Sequence, residues 1–201
     1  MNKTFKIYFL LLIIITPVFY CSCNAQESKK ENTLIVYLSR TNNTKALAEI
    51  IQKKVGGELV AIELEKPYPE DYKAIVAQVA EENQSGYQPP LKTQIDNFNA
   101  YNTVFVGFPT WGMQLPPSIK SFLHQYDMSG KTVIPFNTNA GYGVGNSFET
   151  VHSMCPNATI LKGFSTKGGI ERDGIYFVME GAKKTKVEEE VIKWLRQLKL
   201  Y

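Results

Sequence analysis

Cysteine and histidine are scarce in this chain of 201 residues: it has three Cys and two His, with no CxxC and no His/Cys cluster. A disulfide framework and a structural metal site are therefore not expected, since each needs several such residues at fixed spacing. An excess of one charge is missing too. Lys and Arg number 22 against 19 Asp and Glu, which leaves no basic stripe for nucleic acid and no long-range field for steering partners. Tandem repeats and low-complexity tracts are absent. Cys155, before Pro156 at a helix end, reads as a small buried apolar residue. His124 and His152 fall in helical stretches and suit surface or satisfied core positions.

An apolar run long enough to span a bilayer comfortably is also lacking. The stretch Ile7 to Tyr20 is interrupted by Pro17 and preceded by Lys3 and Lys6, the pattern of a Sec-type signal peptide. Cys23, after the small Ser22, resembles the acceptor cysteine of a bacterial lipoprotein. That resemblance implies export and a lipid anchor at the cell envelope, the chain's one expected link to a membrane. Cleavage after Ala25 would instead release a soluble exported protein. The expected organisation is a signal peptide (1–23), a polar tether (24–32) and one domain (33–201). Removing Lys3 and Lys6 leaves 20 basic against 19 acidic side chains. The mature chain of roughly 178 residues can fill one core but not two ordinary ones.

What is present is an alternation of strands and helices. Continuous apolar runs with β-branched residues predict buried strands over Thr33 to Leu38, Leu59 to Leu64, Thr103 to Phe108, Thr132 to Phe136 and Thr159 to Phe164. Helical spacing predicts helices over Thr44 to Val55, Pro117 to Gln125, Gly145 to Met154 and Val187 to Leu198. Another carries Tyr72, Ile75, Val76 and Val79, with Pro69 near its first position and acidic residues in its first turn, and Gln84 to Pro90 follows as a loop. The addition Ser165 to Lys186 contains Gly168-Gly169 and Ile175 to Met179, and a β-hairpin or extended edge strand is expected there. The fold class is α/β: a doubly wound, five-stranded parallel sheet of order 2-1-3-4-5, with helices on both faces and a crevice at the strands' carboxyl ends.

Three loops belong at that crevice. Ser39-Arg40-Thr41-Asn42-Asn43-Thr44 opens a helix whose first amides lack partners and whose dipole favours negative charge, so its hydroxyls and amides suit a phosphate; the same residue types also serve as helix caps. Arg40 could add charge there or point into water. Pro109-Thr110-Trp111-Gly112-Met113, closed by Pro116-Pro117, sets a tryptophan at a strand's tip, either as a stacking platform or as a core plug. Asn137-Thr138-Asn139-Ala140-Gly141-Tyr142-Gly143-Val144-Gly145 has alternating glycines that let backbone approach a planar ligand and present N–H groups to it, with Tyr142 expected in contact.

The first loop, Ser-x-Thr-x-Asn-Thr, resembles the phosphate loop of flavodoxins, with Asn42 where that family usually has Gly. Pro-Thr-Trp-Gly-x-x-Leu-Pro is similar to the ring-binding loop of a flavodoxin subfamily, and Thr138 to Gly143 to the family's Thr-x-x-Gly-x-Gly segment. The resemblance runs from Asn32 to Gly163 and resumes in the last helix. It implies a flavin mononucleotide (FMN) site built from Ser39, Arg40, Thr41, Asn42, Asn43, Thr44, Pro109, Thr110, Trp111, Gly112, Met113, Asn137, Thr138, Ala140, Gly141, Tyr142 and Gly143. In such proteins a loop peptide, here at Gly112, can rotate so that its carbonyl meets the reduced ring. Electron transfer between redox partner proteins is the activity implied. An FMN-dependent reductase of quinone-like acceptors using NAD(P)H is an alternative, as is an exported binding module without tight FMN binding. No side chain in the loops reads as acid, base or nucleophile, so no catalytic residue is expected and the ring would carry the chemistry. The same architecture serves receivers and phosphatases, but acidic residues and a Cys-x5-Arg loop are lacking after the first strand.

Overall fold

The computed structural model describes residues 32–201. The expected signal peptide, Cys23 and nearly all of the tether lie outside the described residues. The three apolar runs in the middle of the sheet become strands β1 (Thr33–Tyr37), β3 (Thr103–Pro109) and β4 (Thr132–Asn139). All five residues of β1 are buried, as a strand covered on both faces requires. β2 (Glu58–Ala61) flanks β1, β5 (Thr159–Ile160) flanks β4, and the parallel order is β2-β1-β3-β4-β5. Helices α1 (Asn43–Val55), α2 (Tyr72–Ser85), α3 (Pro117–Gln125), α4 (Ser147–Met154) and α5 (Gly181–Gln197) connect and cover the sheet.

Two apolar layers result. Ile35, Phe105, Ile134 and Phe136 meet Leu47 and Ile51 of α1 and Val187, Val191 and Leu195 of α5 on one face. Leu34, Val104 and Val133 meet Ile119 and Phe122 of α3 and Val151 of α4 on the other. Trp194 is core, 5% exposed, and its indole N–H donates to the Lys162 carbonyl at 2.8 Å. Cys155 is buried, and burial pushes its thiol up to about 11.

Three expectations are corrected. The fifth strand is split into β5 (Thr159–Ile160) and β6 (Phe164–Lys167), both parallel to β4. Pro135 explains the break: its carbonyl faces Gly163 at this edge, so the N–H it lacks is the one the edge strand would have used. Pro69 is not at the start of α2, and no acidic residue lies in its first turn; Asp71 is the N-cap, accepting from the Ala74 amide at 2.8 Å. Of Ser165 to Lys186, expected as a hairpin or an extended edge strand, Ser165 to Lys167 belong to the edge strand β6, and beyond it a single antiparallel bridge joins Ile170 and Ile175 in place of a hairpin. After β6 comes a single 3-10 turn (Glu171–Asp173), and α5 begins six residues before its predicted start. Between them Ile175, Tyr176 and Phe177 are exposed; the Ile175 amide donates to the Ile170 carbonyl at 3.1 Å, and Asn43 bonds the backbone of Tyr176 and Val178.

Candidate functional site

The first hydrogen bond of α1 runs from the Ala46 amide to the Asn42 carbonyl at 2.9 Å. The amides of Asn43, Thr44 and Lys45 therefore have no intrahelical acceptor. Asn42 takes the left-handed conformation, φ 61°, and its side chain makes no capping bond, so the loop is not closed as a side-chain cap. Ser39 Oγ is buried without a partner, a cost that a ligand oxygen would remove. Thr44 Oγ1 meets Thr138 Oγ1 at 2.8 Å, both residues buried, which ties the helix start to the end of β4. Asn43 Nδ2 donates to Thr41 Oγ1 at 2.8 Å and to the Tyr176 carbonyl at 2.5 Å, and Asn43 Oδ1 accepts from the Val178 amide at 3.0 Å.

Arg40 neither points freely into water nor reaches over the helix start. Its Nε donates to Glu171 Oε1 at 2.6 Å, and its other nitrogens to the carbonyls of Pro69 and Glu70. It staples the phosphate-type loop to the segment before α2 and to the segment after β6.

At the other end, Trp111 and Gln114 exchange backbone hydrogen bonds of 3.3 and 3.0 Å. The two residues between them, Gly112 and Met113, have φ of 55° and 61°, the signature of a turn whose central residues are both left-handed. This tip holds the half-buried Trp111 ring against Tyr68, edge to face, with centroids 5.2 Å apart and planes at 85°. The Tyr68 hydroxyl donates to Glu82 Oε2 at 2.8 Å. Burial first, then that carboxylate, pushes the Tyr68 phenol far above its ordinary range. Trp111 is thus braced from behind.

The third loop differs from expectation. The amides of Gly141 and Gly143 donate to Asn139 Oδ1 at 2.8 and 3.2 Å and are not presented to a ligand. Tyr142 is 65% exposed and turns outward. Asn137 is fully buried, and its Nδ2 donates to the Phe108 carbonyl and to Thr110 Oγ1, both at 3.0 Å. Gly145 sits where a Cβ would lie 1.9 Å from the Met113 carbonyl oxygen, and the Asn146 amide donates to that same oxygen at 3.1 Å.

A cavity of about 450 Å³ joins the two ends. Of the expected residues, Arg40, Thr41, Asn43 and Thr44 line it at the helix start, and Pro109, Thr110, Trp111 and Gly112 at the turn, with Thr138 and Ala140 between. Ser39, Asn42, Met113, Asn137, Gly141, Tyr142 and Gly143 stand outside the lining. The sequence reading missed a whole wall, made by Tyr72, Ile75, Val76, Val79 and Ala80 of α2. Their helical spacing had signalled an apolar face, which also suits core. It missed Asn139, Gln114 and the Gly168, Gly169 and Glu171 segment as well. One end of the cavity can therefore accept an anion and the other a flat ring, with an apolar side between. Among the described residues no cluster suited to a metal ion occurs, and no helix is long and apolar enough to cross a membrane.

A family model described as flavodoxin matches residues 32–181. The chain belongs to the flavodoxin family. A flavodoxin of Synechocystis sp. is 26% identical over 119 residues, which are 57% of this chain and 56% of that protein. The chain thus aligns with little more than half the length of that curated relative. A candidate flavoprotein from Bacteroides uniformis is similar in structure, with TM-score 0.67 and 26% identity over 84% of this chain and 99% of that one. A flavoprotein of Lactobacillus acidophilus, solved in complex with FMN, shares the flavodoxin fold with TM-score 0.61 at 22% identity, over 68% of this chain and 93% of that one.

Proposed function

We propose that the cavity binds FMN and that the protein carries electrons between redox partner proteins. The carrying observation is the pairing, in one cavity, of an open helix start beside an unpartnered buried Ser39 hydroxyl with a braced Trp111 at the far end. Family membership supports the reading. The amides of Asn43, Thr44 and Lys45 and the hydroxyls of Ser39 and Thr41 would hold the phosphate. Trp111 would carry one face of the ring, and the α2 wall would keep water from it. When bound, the ring supplies reversible one- and two-electron chemistry, and the residues around it supply orientation and electrostatics. The test is an absorption spectrum of the folded mature protein after incubation with FMN and gel filtration. Retained flavin bands, lost in Trp111→Ala, are expected; colourless protein would reject the reading.

The apolar α2 wall favours a second reading, in which a flat quinone-like molecule enters beside the ring and is reduced directly. Oxidation of NAD(P)H by the FMN-loaded protein only when a soluble quinone is added would select it. Export and a lipid anchor at Cys23 complete the proposal, supported by Lys3, Lys6 and the apolar Ile7 to Tyr20. Cys23→Ala would then shift the protein from the membrane fraction to the soluble one.

A further inference from the structure

Among the described residues that line the cavity, Arg40 is the only cation and Glu171 the only anion. They hold each other at 2.6 Å, with side chains 19% and 17% exposed, so solvent screens the pair less than an open surface pair. The guanidinium's remaining bonds, to the Pro69 and Glu70 carbonyls, fix its direction. The carboxylate is fixed as well. Its segment packs on the helix start, where a Cβ at Gly168 would lie 3.3 Å from Asn43 Cβ, and Asn43 binds the backbone of Tyr176 and Val178 farther along.

We propose that Glu171 sets the charge specificity of the flavin site: by holding Arg40 it withdraws the cavity's one positive charge from the phosphate and adds a carboxylate to the same wall. The proposal rests on the reading of the cavity as an FMN site. A phosphate at the start of α1 still gains from the helix dipole and from free amides. The ion pair adds no net charge to that attraction. The phosphate is then held by the amides and hydroxyls of the helix start and not by a free cation. Replacing Glu171 by Gln keeps the shape and an acceptor for Arg40, but leaves one uncompensated positive charge beside the helix start.

The test is titration of the mature protein with FMN and, separately, riboflavin, followed by quenching of flavin fluorescence. Glu171→Gln is expected to tighten FMN binding about tenfold, with riboflavin unchanged within about twofold. The gain should shrink as salt rises from about 10 mM to about 500 mM. The double variant Arg40→Gln/Glu171→Gln, again neutral as a pair, should return FMN affinity toward the wild-type value. The ratio of FMN to riboflavin affinity separates charge from shape, because a displaced segment weakens both flavins. An unchanged or lowered ratio in Glu171→Gln, with both flavins bound, overturns this inference and leaves the FMN reading standing. Binding of neither flavin by wild type or variant overturns both.

Discussion

The two ends of the cavity are closed by different means. At the helix start the ties are side chains from residues far apart in the chain: Thr44 with Thr138, Asn43 with Tyr176 and Val178, and Arg40 with Glu171, each spanning 94 to 135 positions. At the ring end the turn itself is held by backbone, through the Trp111–Gln114 pair and the Asn146 amide on the Met113 carbonyl, and side chains tie only its stem, where Thr110 Oγ1 accepts from Asn137 and donates to the Gly143 carbonyl. Met113 and Tyr142 there remain exposed, at 45% and 65%. Side-chain ties fail when a polar group is lost, whereas backbone ties fail when a Cβ intrudes. The anion end is thereby preorganised, and the ring end keeps exposed side chains around a fixed turn.

Gly145→Ala tests the contrast most severely. The new Cβ would lie 1.9 Å from the Met113 oxygen at a residue with φ of 56°, so overpacking and a left-handed backbone combine. A loss of about 3 kcal/mol in urea unfolding is expected, with FMN and riboflavin binding weakened together. Trp111→Ala should follow at about 2 kcal/mol of flavin affinity, or about thirtyfold, again for both ligands. A loss confined to FMN would show that Trp111 serves the phosphate end.

Thr44→Val probes the other means of closure. It leaves Thr138 Oγ1 buried without its 2.8 Å partner, and about 1 to 2 kcal/mol of stability should disappear. FMN binding should fall more than riboflavin binding, because the start of α1 shifts while the turn at Trp111 does not. Equal losses for the two flavins would mean that the ends are coupled and that the contrast is false.

Much of this was readable from residues alone where the cause is local. Thr33 to Leu38 reads as a strand buried on both faces, and Thr33–Tyr37 forms it, while Asn42 accommodates the left-handed conformation that the loop requires. Trp111 was legible because Pro109 and Gly112 bracket it at a strand's end. What escaped depends on partners distant in sequence. Arg40 carries no sign of Glu171, 131 positions later, and alternating glycines give no warning that Asn139 captures two of their amides. The α2 wall escaped for another reason. Ile75 and Val79 are as buried as core residues, 4% and 5% exposed, and spacing alone does not separate a helix face against a sheet from one lining a cavity. The split of the fifth strand was written in a different strand, at Pro135 of β4.

The smallest effect is the most discriminating within the ring end itself. Gly112 and Gly145 both have positive φ, 55° and 56°, but a Cβ at Gly112 would meet nothing within 4 Å. Gly112→Ala thus isolates the cost of a left-handed backbone, about 1 kcal/mol, with no collision added. Its unfolding free energy should drop by that amount and no more, and flavin affinity should change by a few-fold at most. A cost equal to that of Gly145→Ala would mean that the turn's tip is packed as tightly as its root, and the ring end would then be as fixed as the helix start.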